Sequence, residues 1–292
     1  MSTSRRRPIG NPRDHAQRIA EAVAETWGRS ASGGSDLEIP VGVVAALALG
    51  CQRLDSDGPA PTDLLLAATR EDFIQVLRDL WIMFAVTRPD LSPNIGIARN
   101  WLFEDRSAHQ LGAAHDVGRA ALRAGLLDLL TDPEHRRGVD LLGPLLMTMR
   151  PASAISGRGQ FYTPPEVSQV MANMLGVQPG TTVNEPSAGT GGMLCAAALH
   201  LRANGHDPAT VTWYANDIDP LAVAALAINA HLWDLGPRVL FATANTLSEP
   251  DWIPRALAAR DAALFEIKAV RMMATLRHLT TPTDDSPEQI AA

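Results

Sequence analysis

Apolar residues recur at three- and four-residue spacing over residues 14–27, 40–54, 62–68, 72–86, 111–130 and 139–149. That period places them on one face of an α-helix, so the first 150 residues predict a set of helices packed on one another. Breakers fall between most of the segments, at Gly33-Gly34, residues 59–61, residues 89–93 and Pro133. Two starts carry capping chemistry. Thr62 offers a hydroxyl to free amides, and Asp132-Pro133-Glu134 puts proline and an acid in a first turn. No internal repeat is visible. Nothing chemical rises above a packing or docking role for this half.

The texture changes after a joint containing Ser153, Ser156, Gly157 and Gly159. Residues 181–185, 211–218 and 238–243 read as strands, the second rich in β-branched and aromatic side chains. Residues 193–203 and 221–233 read as the helices between them. Strands alternating with helices of this length indicate a parallel sheet built from right-handed crossovers. The fold class is therefore α/β with a helical N-terminal domain. Residues 1–15 read as a disordered basic tail, 16–150 as the helical domain, 151–280 as the α/β domain and 281–292 as a second tail. Residues 261–268 fit a fourth strand. The alanines, arginines and spaced apolar residues of 254–279 slightly favour one long helix instead.

Composition narrows the function. The net charge is −7, against the basic face expected of a protein that grips duplex DNA alone. Arginine supplies all the positive side-chain charge except for Lys268, which reads as a coding bias. Cys51 and Cys195 are too isolated for a disulfide framework or a zinc site, and Cys195 falls in an apolar helix as packing. His109, His115 and His135 stand among polar neighbours and read as solvated, so no metal is expected. Arg5, Arg6 and Arg7 lack a following apolar run, which argues against a signal peptide, and the apolar stretch 41–49 is too short to cross a bilayer. A cytoplasmic protein without membrane partners is expected.

Three segments carry candidate chemistry. Between the first strand and its helix runs Glu185-Pro186-Ser187-Ala188-Gly189-Thr190-Gly191-Gly192. Its glycines permit a sharp turn close to a ligand, and the following helix offers unpaired amides to an anion. Alone, this is equally a structural turn. The second strand ends in Asn216-Asp217-Ile218-Asp219-Pro220. An acid at that tip can accept ribose hydroxyls, a role that falls to Asp217, whereas Asp219 before Pro220 reads as a helix cap. Gly159-Gln160-Phe161-Tyr162-Thr163-Pro164-Pro165-Glu166 precedes another helix and by itself is a proline-terminated linker. A dehydrogenase would want Gly-x-Gly-x-x-Gly, which this loop does not spell.

Together, in this order and spacing, the three segments resemble the gamma-type adenine-N6 DNA methyltransferases, in particular the modification subunits of type I restriction-modification systems. The resemblance is strong from about Gly159 to Asn245, weak over 140–158, and before that a matter of helical texture. It implies a partial Rossmann-like domain that binds S-adenosylmethionine. Phe161, Tyr162 and Thr163 would close over the methionine end. Glu185, Pro186, Ser187, Gly189 and Gly191 would hold the methionine and ribose. Asp217 would take the ribose hydroxyls and Asn245 the adenine ring. The loop has one more residue between Pro186 and Gly189 than some members show, which loosens the carry-over within it.

The family transfers the methyl group with an Asn-Pro-Pro-aromatic segment after a fourth strand, onto a base flipped out of the duplex. This sequence has none. Its Pro-Pro is Pro164-Pro165, its Asn-Pro is Asn11-Pro12, and Glu266-Ile267-Lys268 stands where the motif belongs. No catalytic residue is assigned. Two readings follow. One is the cofactor-binding part of a DNA methylase whose catalytic strand and DNA specificity come from a partner. The other is an inactive cofactor-binding or interaction module.

Overall fold

The computed structural model describes residues 9–30, 36–50, 60–150 and 163–280. The expected tail 281–292 and most of the joint at 150–162 lie outside them. Among the described residues up to 150, the α-helices are α1 (Pro12–Arg29), α2 (Glu38–Gly50), α3 (Pro61–Ala67), α4 (Arg70–Thr87), α5 (Gly96–Arg99), α6 (Ala108–Arg123), α7 (Leu126–Thr131), α8 (Pro133–Gly138) and α9 (Leu142–Met149). Then come α10 (Pro165–Leu175), β1 (Thr182–Glu185), α11 (Gly192–Ala203), β2 (Thr212–Asp217), α12 (Pro220–Leu232), β3 (Val239–Thr243) and α13 (Ile253–Thr280).

Local sequence accounts for most of the helix ends. Helix α1 starts within the stretch expected to be tail, because the Asn11 side chain accepts from the Arg13 amide and Pro12 takes the first position. Its stripe His15, Ala16, Ile19, Ala20, Val23 and Trp27 is buried. Ser107 and Gln110 form a reciprocal capping box on α6. The single helix expected over 111–130 is two helices, since Gly125 turns the chain at φ +90. Asp132 caps α8 as expected. Thr62 does not cap α3: Ala60 occupies the capping position and makes no side-chain bond.

The sheet has three parallel strands in the order β1-β2-β3, with Thr182 beside Thr212 and Trp213 beside Val239. Residues 261–268, open between strand and helix on sequence, lie within α13. That helix packs its start on β3, where Trp252 and Ala256 meet Leu240 and Ala242. Asn94 donates to the Phe241 carbonyl at 2.9 Å, covering part of the same edge. The other edge differs. β1 pairs with β2 alone among the described residues, and its side chains alternate between exposed and half-buried.

Helix α12 joins the two halves. Eleven of its thirteen residues are buried, since it rests on β2 and β3 on one side and on α2, α5 and α9 on the other. A helix apolar all round requires such a two-sided environment. One buried core therefore runs from Ala16 to Phe241. At its polar end, the Arg150 guanidinium after α9 pairs with the Asp219 carboxylate that caps α12, both nearly inaccessible to solvent.

His231, on the last turn of α12, stands edge-on to Phe84 with ring centroids 5.2 Å apart. Burial first, and the neighbouring Arg88 guanidinium second, push its imidazole down to about 4. The unfolded chain protonates that ring near its ordinary value of 6.5, so the unfolded state binds more protons between those limits. Stability is expected to fall as the pH is lowered from about 6.5 to about 4. Urea midpoints across that interval check it, and His231→Phe should flatten the profile.

Candidate functional site

The carboxyl ends of the three strands converge on one polar region, where open α/β sheets receive ligands. β1 delivers Glu185, whose Oε1 accepts from the Ser187 amide at 3.2 Å. The chain then turns through Gly189 and Gly191, at φ +53 and +96. Gly191 has a packing reason as well: a Cβ there would fall 2.5 Å from Leu226 Cδ1 and 2.9 Å from the Trp233 ring. Helix α11 begins at once with no side-chain cap, so first-turn amides are left open toward the site.

Two side chains at the tip of β2 hold this loop. The half-buried Asp217 accepts from the Gly189 amide through Oδ2 at 2.8 Å and from the Asp219 amide through Oδ1 at 2.9 Å. A carboxylate has about four acceptor positions, so two remain for a ligand. Asn216 is fully buried. Its amide nitrogen donates to the Pro186 carbonyl at 3.3 Å, the Ala244 carbonyl at 3.1 Å and Thr246 Oγ1 at 2.8 Å, tying the loops after β1 and β3 to β2. Asp219 caps α12 through the Leu221 amide at 2.9 Å with Pro220 in the first turn, as the sequence suggests.

A cleft of about 450 Å³ opens beside the loop, within the usual range for small-molecule sites. The loop and the start of α11 form one wall. Helices α1, α9 and α10 form the others, with Arg13, Met147 and Thr163 among the lining residues. Arg13 and Glu166 pair across its mouth at 3.3 Å. The Ser168 hydroxyl, in the wall from α10, is buried without a hydrogen-bond partner. A buried orphan polar atom is uncommon and suits a ligand group in the cleft.

The residues singled out on sequence therefore occupy two adjoining places. Thr163, Ser187 and Gly189 line the cleft. Glu185, Asp217 and Asn245 stand at the strand tips, where Asn245 Oδ1 accepts from the Leu247 amide at 3.0 Å. Pro186 joins the two regions through its carbonyl. Phe161 and Tyr162 lie outside the described residues. Among the described residues, no group of His, Cys, Asp and Glu side chains is placed to hold a metal, and no helix is long and apolar enough to cross a membrane. Cys195 is buried, and burial pushes its thiol well above the ordinary range. His115, expected to be solvated, is only partly exposed and packs edge-on against Phe73 at 5.1 Å.

Residues 143–264 match the family model described as N-6 DNA methylase. Solved structures similar to the chain include a type I restriction-modification system methyltransferase subunit from Streptococcus thermophilus, with 16% identity over 81% of this chain and a TM-score of 0.43. The match covers 60% of that subunit. No curated protein sequence matches the chain.

The site also uses residues that sequence reading passed over. The half-buried Asp140 and the buried Thr190 and Asn229 form a hydrogen-bonded cluster behind the loop. Thr190 lies between two glycines and Asn229 within an apolar helix, so neither carries a motif signal. Asp140 sits where a helix cap is equally plausible. Asn216, the least conspicuous member of its segment, makes more inter-loop bonds than its neighbours. Asn216→Ala would leave its three acceptors without that donor, at a cost of about 1–3 kcal/mol. A urea unfolding curve with an unchanged slope and a lowered midpoint is the expected result.

Proposed function

We propose that this chain binds S-adenosylmethionine and serves as the cofactor-binding part of an adenine-N6 DNA methyltransferase of the restriction-modification type. The observation that supports it best is the convergence of Thr163, the glycine loop and Asp217 on one cleft and the strand tips beside it. The polar groups there suit that cofactor. Thr163, Ser187 and the open amides of α11 would receive the methionine end. The two remaining acceptor positions of Asp217 would take ribose hydroxyls, and Asn245 is at the right strand tip for the adenine ring.

When bound, S-adenosylmethionine supplies an electrophilic methyl group. The protein's part is to orient it: the loop is fixed at Gly189 by Asp217 and at Pro186 by Asn216, which limits reorganisation on binding. The acceptors that would strengthen a base amine as nucleophile are missing from this sequence, and the net charge of −7 is poor for gripping DNA unaided. We therefore assign the Asn-Pro-Pro-aromatic strand and the DNA specificity to a partner subunit. The missing motif equally favours a second reading, an inactive cofactor-binding or interaction module.

Calorimetric titration of S-adenosylmethionine into the purified chain, with NADH as control, tests the first reading. Micromolar binding of the former alone is expected. Asp217→Asn places an amide hydrogen against the Gly189 or Asp219 amide, and should weaken binding by about tenfold or more. Equal binding by that variant would show the assignment of Asp217 to be wrong. The chain alone is expected to transfer no tritium from labelled S-adenosylmethionine to DNA. Transfer would mean that acceptors other than Asn-Pro-Pro serve.

A further inference from the structure

We propose that Asp140 is a positioning residue for the glycine loop, acting through Thr190 to hold the loop in its ligand-receiving shape. The proposal rests on the cofactor-binding function above. Asp140 lies just ahead of α9, fifty residues before the loop, and lines the cleft with Thr190. Its Oδ2 accepts from the Thr190 hydroxyl at 2.7 Å. Its Oδ1 accepts from Asn229 Nδ2 at 2.7 Å and from the Gly143 amide at 2.8 Å. These three donors take most of the acceptor positions of a carboxylate, so Asp140 faces the cleft with little left to offer a ligand. It acts through what it holds.

What it holds is the loop, from two directions. Thr190 is one of the few buried polar residues among those described. Its hydroxyl is taken by Asp140, while its carbonyl accepts from Asn229 Nδ2 at 3.0 Å. Asn229 thus donates to both ends of the contact from the middle of α12. A half-buried carboxylate at the wall of a cleft is costly unless its hydrogen bonds are complete. Burial accordingly pulls its titration upward, while the Thr190, Gly143 and Asn229 bonds favour the ionised form.

The packing around it is as tight as the bonding. A Cβ on Gly143 would fall 2.2 Å from Asp140 Oδ2 and 2.9 Å from Thr190 Oγ1. Position 143 therefore accepts no side chain while Asp140 holds the loop. Gly189 and Asp217 fix the strand side of the same loop. Asp140 fixes its helix side, and in doing so makes the helical region ahead of the sheet a working part of the site.

The test is calorimetric titration of S-adenosylmethionine into the full chain and its variants, each paired with a thermal midpoint. Thr190→Val removes the hydroxyl and keeps the shape; binding should weaken by about tenfold or more at temperatures where the variant is fully folded. Thr190→Ser should restore it. Gly143→Ala displaces the carboxylate while leaving its side-chain donors in place, and should weaken binding even if Thr190→Val folds poorly. Wild-type affinity in either folded variant, with or without a lowered midpoint, would overturn the proposal by reducing Asp140 to a stability role. Failure of the serine to rescue would do the same. If the unaltered chain does not bind the cofactor, the function proposed above falls, and the role of Asp140 falls with it.

Discussion

The polar residues at the end of β2 have to satisfy the backbone of three loops at once. Parallel strands finish on one side of a sheet with carbonyls and amides that no ladder bonds. Asn216 answers to the loops after β1 and β3, Asp217 to the glycine loop, and Asp219 to the first turn of α12. Asp219 also pairs with Arg150, which anchors the end of α9. Removing one partner of such a buried pair strands the other charge, at a cost of about 3–5 kcal/mol. The site and the joint between helices and sheet are therefore the same set of bonds.

Much of this was legible in the sequence. The alternation of strand and helix after residue 180 is local: β-branched runs, a glycine turn, and Asp219-Pro220 as a start signal. The glycine turn and the place of Asp217 at a strand tip were legible because both depend on short-range spacing. The break at Gly125 was not, because a glycine inside an apolar helical pattern is read as tolerated until its positive φ is seen. The start of α3 was misread for a related reason: Ala60-Pro61 sets the backbone ahead of Thr62, so the hydroxyl arrives inside the first turn.

Long-range contacts escaped the reading altogether. Asp140 reaches Thr190 and Asn229, and Asn94 reaches Phe241, pairings that no periodicity records. His115 looked solvated because its sequence neighbours are polar, yet α4 brings Phe73 against it. The choice between strand and helix at 261–268 also depended on tertiary context. An apolar run of that length suits either state, and the packing of Trp252 and Ala256 on β3 starts the chain as a helix.

The burial of α12 also bears on how this protein can change over time. Its alanines let α2, α5 and the strands approach closely, so a larger side chain on any face has no free direction in which to relax. A sheet region organised around such a helix is packed too closely against α2, α5 and α9 to be exchanged between proteins by recombination at residues 150–162 without carrying those helices along. Sequence change is accommodated with least strain on the exposed outer surfaces of β1, α10 and α13.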